Sequence, residues 1–256
     1  MNYDWLIVGL SAGAIFLGSF VHGIAGFGLA QVSMGLMPLF RDPSMAAIIF
    51  SVVAVFSNLR VWWSVRDEFD LKAWLIPISG TLVGLPLGIL TLQNLSEDQL
   101  RIIIGITLLV AVILITLLRK LNLFDKWLSG KDIENTWYLG LIAGFLAGIL
   151  GGAVAIPGPP MIIYGAFMLA LGVWKSEKMK AIFTAFFGTL MLYRSVSVTI
   201  TGEMTWHLFL ESLMMLPAML LGAFLGIKIY QYIPEDIFQW IVIGMLTVNA
   251  FILIFT

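Results

Sequence analysis

The chain has 256 residues, 60% of them hydrophobic and 11% charged, a net charge of −1, a mean hydropathy of +1.01 and no cysteine. So much apolar surface excludes a water-soluble globule and marks an integral membrane protein. The absence of thiols excludes disulfides, thiolate catalysis and cysteine-ligated metals, and basic residues scattered through short loops exclude a nucleic-acid-binding face.

The N-terminus, Met1-Asn2-Tyr3-Asp4-Trp5, carries no positive n-region and no small-residue cleavage site, so it reads as part of the mature protein. The first half predicts helical segments near 5–22, 28–40, 44–64, 72–93 and 99–119. The stretch 100–118 contains no acid and one base near its start, and at about 1.5 Å per residue it is long enough to cross a hydrocarbon core roughly 30 Å thick. Helices, not a barrel, make the crossings. A central linker rich in Arg119, Lys120, Lys126 and Lys131 follows, and the second half predicts segments near 137–150, 159–173, 177–201, 206–230 and 235–255.

The two halves share an ordered pattern at a period of about 130–140 residues, the signature of a duplicated domain. Pro77, Gly80, Gly84 and Gly88 recur as Pro217, Gly222 and Gly226, and Ser96-Glu97-Asp98 recurs as Pro234-Glu235-Asp236. Glycines every fourth position let helix backbones approach closely, and the acids complement helix N-termini. Residues 1–122 therefore form an N-terminal repeat, 123–136 a cytoplasmic linker and 137–256 a C-terminal repeat. Lys and Arg are retained on the cytoplasmic side. The linker, the loop with Lys175, Lys178 and Lys180, and the region of Arg60, Arg66 and Lys72 can all be cytoplasmic only if each half crosses an odd number of times or opens with a re-entrant pair. The fold class expected is an all-α integral membrane protein of two inverted repeats, five helical segments each, with both termini outside.

Glycine and proline interrupt the apolar helices at matching places near the midplane: His22-Gly23-Ile24-Ala25-Gly26-Phe27-Gly28 and Gly151-Gly152-Ala153-Val154-Ala155-Ile156-Pro157-Gly158-Pro159-Pro160. Non-helical backbone at membrane depth persists only where it is buried in protein or lines a cavity, and paired breaks point to a transport site. The string from Gly144 to Pro160, together with Val21 to Gly28 one repeat earlier and the Pro77/Gly84 and Pro217/Gly222 segments, resembles the TauE/SafE family, the sulfite exporter family of membrane permeases. The resemblance implies a secondary transporter of small sulfur-containing anions such as sulfite or organosulfonates, working by alternating access in a bacterial cytoplasmic (inner) membrane. Other small anions, a cation, or a non-transport scaffold are the alternatives. A homodimer is the candidate assembly.

The candidate substrate-binding residues are His22, Gly26, Gly28, Gln31, Ser33, Asn58, Arg60, Gly152, Pro157, Gly158, Tyr193 and Arg194. A broken helix presents free N–H groups and a partial positive charge where it resumes, which suits an oxyanion. The segments after Gly28 and Gly158 are such ends, and inversion aims them at one site. Arg194, with Tyr193 beside it, lies deep in an apolar helix where a guanidinium costs about 2.5–3.5 kcal/mol, so it is the first candidate for recognising the charge of the substrate, with snorkelling to the outer headgroups as the alternative. Arg60 holds a comparable place in the first half but lies nearer a helix end, as expected of an interfacial cation. His22 can donate to an oxyanion, take a proton, or simply pack. Gln31 and Ser33 can bond ligand oxygens or bridge helices, and Ser51, Asn58, Thr184 and Thr189 are further polar spots. Trp62, Trp63, Trp74, Trp174 and Trp206 read as an interfacial belt. With no cysteine, no paired intramembrane carboxylates and only His22 and His207 as histidines, neither catalysis, a metal nor a cofactor is expected.

Overall fold

The computed structural model describes residues 4–25, 28–120, 137–229 and 235–255. They form α1 (Trp5–Ala25), α2 (Leu29–Leu36) with a 3-10 turn (Met37–Leu39), α3 (Pro43–Val65), α4 (Leu71–Asn94), α5 (Glu97–Lys120), α6 (Trp137–Val154), α7 (Gly158–Ala170), α8 (Ser176–Ile200), α9 (Trp206–Met214), α10 (Leu216–Ile229) and α11 (Glu235–Phe255). Among the described residues there is no strand, and 6 helices are long and apolar enough to cross a membrane: Trp5–Ile24, Pro43–Glu68, Leu71–Asn94, Trp137–Val154, Ser176–Ile200 and Trp206–Ile229. The linker expected at 123–136 lies outside the described residues.

Local chemistry sets the departures from the expected segments. The segment expected at 206–230 is broken at Met215, because Pro217 has no N–H to continue the helical ladder. The second segment leaves α-geometry at Leu36 and tightens into a 3-10 turn around Pro38. The first helix runs on past His22 to Ala25, and the second break falls after Val154, so Gly151 and Gly152 stay helical.

Glycine faces decide which helices lie together. A Cβ on Gly80, Gly84 or Gly88 would overlap the backbone of α6 at Leu141, Phe145 and Ile149 in turn, and one on Gly144 would overlap Pro77. Contact therefore advances in the same direction along both chains, and α4 and α6 run parallel. The same relation holds between α1 and α10, where Gly222 sits against Phe16 and Gly226 against Phe20. Such close approach maximises dispersion contact in lipid, where no hydrophobic force draws helices together. α3 and α8 pack antiparallel, with Asn58 beside Gly188 and Ala47 near Arg194, and α5 lies against α11.

Ion pairs fix the ends of this bundle. Lys178 of α8 donates to Asp70, the N-cap of α4, at 2.7 Å. That bond, with the N–H groups of Ala73 and Lys72, holds the Asp70 carboxyl below the usual carboxylate range. Its stabilisation is present above the ordinary carboxylate pKa and is lost as pH falls through the lowered one. At the other end Gln93 approaches Glu203 at 3.4 Å, and Arg41 donates to both Glu211 oxygens at 2.9 and 3.2 Å and to Ser11 at 2.9 Å.

Two helical hairpins enter from these opposite ends. α2 doubles back along α1, with Ser33 donating to the Ala14 carbonyl at 3.5 Å and Gly18 against Leu29. α7 doubles back along α6, with Pro157 beside Gly151 and Tyr164 beside Gly140. α1 starts at the Arg41 end and α6 at the Lys178 end, so the hairpin tips meet inside the fold. Gly84→Val should lower the melting temperature in detergent, because its side chain has to displace the Phe145 backbone; Gly9→Val, at a position with nothing within 4 Å, should leave it unchanged.

Candidate functional site

The tips close on a buried cavity of about 30 Å³, roughly two waters at ~10–15 Å³ each. His22 comes from the last turn of α1, Gly28 to Gln31 from the start of α2, and Pro157, Gly158 and Ile162 from the start of α7. Phe50, Ala54 and Asn58 line it from one face of α3, and Phe187 and Met191 from one face of α8.

Gly28 is the N-cap of α2 and has φ 97°, a left-handed conformation that a side chain would strain. A Cβ there would also meet Val21 at 2.8 Å. No side chain caps the helix that follows, so the first N–H groups of α2 have no side-chain partner at Gly28, and Leu29, Ala30 and Gln31 line the cavity. Gly158 starts α7 directly beneath the Gln31 amide, and a Cβ would overlap it. Pro159 and Pro160 have no N–H, so the α7 tip offers fewer donors than the α2 tip.

The polar side chains here are held ready for a partner. His22 is 2% exposed and neither ring nitrogen has a hydrogen-bond partner. Asn58, 4% exposed, donates its amide to the Ala54 carbonyl at 2.8 Å while Oδ1 is unpartnered. Gln31 is 3% exposed. Among the described residues no Asp or Glu lines the cavity. Among the described residues no three His, Asp or Glu side chains are grouped to hold a metal ion.

Of the candidates named from the sequence, the cavity thus gathers His22, Gly28, Gln31, Asn58, Pro157 and Gly158. Gly26 lies outside the described residues. Ser33 is buried but turned to α1. Tyr193 faces α4, its hydroxyl donating to the Leu82 carbonyl at 3.5 Å. Arg60 is exposed in an apolar surface groove with Phe56, Trp63 and Leu220. Gly152 packs on α4, where a Cβ would meet Gly88 Cα at 3.0 Å. Phe50, Ala54, Phe187, Met191 and Ile162 were not singled out beforehand. The i, i+4 spacings of Phe50/Ala54/Asn58 and Phe187/Met191 are the signal that places them on cavity faces.

Arg194 lies outside the cavity wall and is fully buried. It donates from Nε to the Gly152 carbonyl at 3.1 Å, and from Nη1 to the Ala47 carbonyl at 2.8 Å and Ser51 Oγ at 2.5 Å. Gly152 is in the last turn of α6, where carbonyls lack helical partners. Ala155, a left-handed non-glycine residue at φ 58°, returns its N–H to Gly151 at 3.1 Å. Arg194 and Ala155 thus give partners to the Gly152 and Gly151 carbonyls at the end of the interrupted helix.

The model of the family described as Sulfite exporter TauE/SafE matches residues 11–253. The chain belongs to the TauE/SafE family. No curated protein and no solved structure matches it. Membership makes the chain a membrane transporter. Arg194→Ala should lower the melting temperature, since each acceptor left unpaired in the interior costs about 1–3 kcal/mol.

Proposed function

We propose that this TauE/SafE protein exports small sulfur-containing oxyanions, sulfite or organosulfonates, by alternating access across the bacterial cytoplasmic membrane. The observation that carries the reading is the cavity where two hairpins from opposite ends meet, mostly apolar, with His22, Gln31 and Asn58 as its polar side chains and no carboxylate among the described residues that line it. An oxyanion there would accept from the α2 N–H groups and the Gln31 amide, with the His22 ring completing the cradle. The missing acids count against a cation as cargo. Phe50, Phe187, Met191 and Ile162 would exclude water and strengthen each of these bonds.

The two halves act, on this reading, as inverted repeats. Support comes from the exchange of partners, α1 with α10 and α6 with α4, each pair parallel and glycine-packed. The end bearing Arg66, Lys72, Lys175 and Lys178 is then cytoplasmic and both termini lie outside. A negative-inside potential drives an anion outward by about 2.3 kcal/mol per charge per 100 mV, so export requires no coupled ion.

Gln31→Ala should cut sulfite flux in proteoliposomes at least tenfold with insertion and melting temperature unchanged. Gly158→Val, which pushes a side chain into the Gln31 amide, should abolish it. Unaltered flux in both variants would remove the cavity from the transport path.

A further inference from the structure

Lys180 stands on the second turn of α8, and the spacing Lys180, Thr184, Phe187, Met191 sets it on the helix stripe that lines the cavity. Seven residues separate it from Phe187, about 10 Å along the axis toward the Lys178 end. The side chain is half-buried. Lys180 thus stands between the Lys178 end and the cavity, on the same face of α8 as Phe187 and Met191.

Among the described residues no carboxylate stands within ion-pair distance of the Lys180 ammonium, whereas Lys178 is taken by Asp70. At the opposite end Arg41 is neutralised by both oxygens of Glu211 and offers an arriving anion no net charge. A half-buried cation on the stripe that leads to the cavity, with no carboxylate in reach among the described residues, is free to receive an anion.

We infer that Lys180 is a specificity-determining residue of this transporter: it draws the anion from the Lys178 end and hands it to the His22/Gln31/Asn58 cradle. The inference rests on the anion-export reading above. A flexible four-carbon stem with a compact charge suits a transient contact that must release its cargo. Its field, acting through partly desolvated space, raises local anion concentration and favours the dianion over the monoanion.

The test is sulfite binding to the full chain in detergent, read as the sulfite concentration giving half-maximal thermal stabilisation at constant ionic strength. Lys180→Gln should raise that concentration about tenfold, the scale expected of one partly screened charge near the ligand. Lys180→Arg should stay within about twofold, and Lys175→Gln, an exposed charge at the same end, should match the unaltered protein. Methanesulfonate, a monoanion, should lose less than sulfite in Lys180→Gln. Normal sulfite affinity in Lys180→Gln, with weakened affinity in Gln31→Ala, would overturn the role of Lys180 and leave the cavity intact as the site. An unaltered protein that neither binds nor transports sulfite or methanesulfonate would overturn the export reading itself.

Discussion

A helix that stops inside a membrane leaves carbonyls pointing where there is no water, and the organisation of this protein follows from how the end of α6 is satisfied. Ala155 turns left-handed and closes on Gly151, and Arg194 reaches across from α8 to take Gly152. The same guanidinium binds Ala47 and Ser51 on α3, so one side chain ties three helices at the depth where the chain is interrupted. A buried guanidinium is costly, and three acceptors, two of them backbone, are what makes it tolerable. With α6 pinned, α7 must begin at Pro157 and Gly158, against Gln31. The charge thus fixes the geometry of the cavity from just outside its wall.

The two tips are alike in placement and unlike in chemistry. The α2 tip has a left-handed glycine and uncapped N–H groups; the α7 tip has two prolines that remove donors and stiffen the turn. One side of the cavity therefore supplies hydrogen bonds and the other supplies shape. Glycine at position 158 serves the second role, because only a missing Cβ lets the Gln31 amide lie over the α7 start. The asymmetry continues outward: the Arg41 end is bound by a buried, bidentate ion pair, and the Lys178 end by a more exposed one. Breaking the first would leave an uncompensated charge in the interior, while the second is screened by water and salt.

Much of this was legible in the sequence because lipid-embedded chains obey few rules strictly. Apolar length gave the helices to within a few residues, and glycines at fourth positions marked the faces on which α4 meets α6 and α10 meets α1. Six of the twelve named candidates, from His22 to Gly158, line one cavity. The interruption after α6 was harder to place. Gly151 and Gly152 look like its centre, yet both stay helical, Gly152 for close packing on α4, and the left-handed residue is Ala155. Composition cannot separate a glycine needed for its dihedrals from one needed for its size. Arg194 posed the same ambiguity: burial was readable from its apolar helix, but only the fold shows that its bonds go to a helix end. Lys180 was read as one loop charge among several, since nothing in the string shows which lysine has an acid partner.

The packing also bears on how such a cavity would open in the proposed cycle. Glycine seams with backbone against backbone have no slack, so α1 with α10 and α4 with α6 resist sliding. Arg41 adds to the first unit, because its bonds to Ser11 and Glu211 join the hairpin to α9. In the proposed cycle motion would fall at the boundary where the α2 and α7 tips meet side chain to backbone at Gln31 and Gly158, and α3 and α8, tied by Arg194, border both units. A rocking of one unit against the other would part Gln31 from Gly158 while sparing every glycine seam. Were the bonds of the Arg194 knot kept during such a rocking, the Gly152 carbonyl at the α6 end would keep its partner as the tips part.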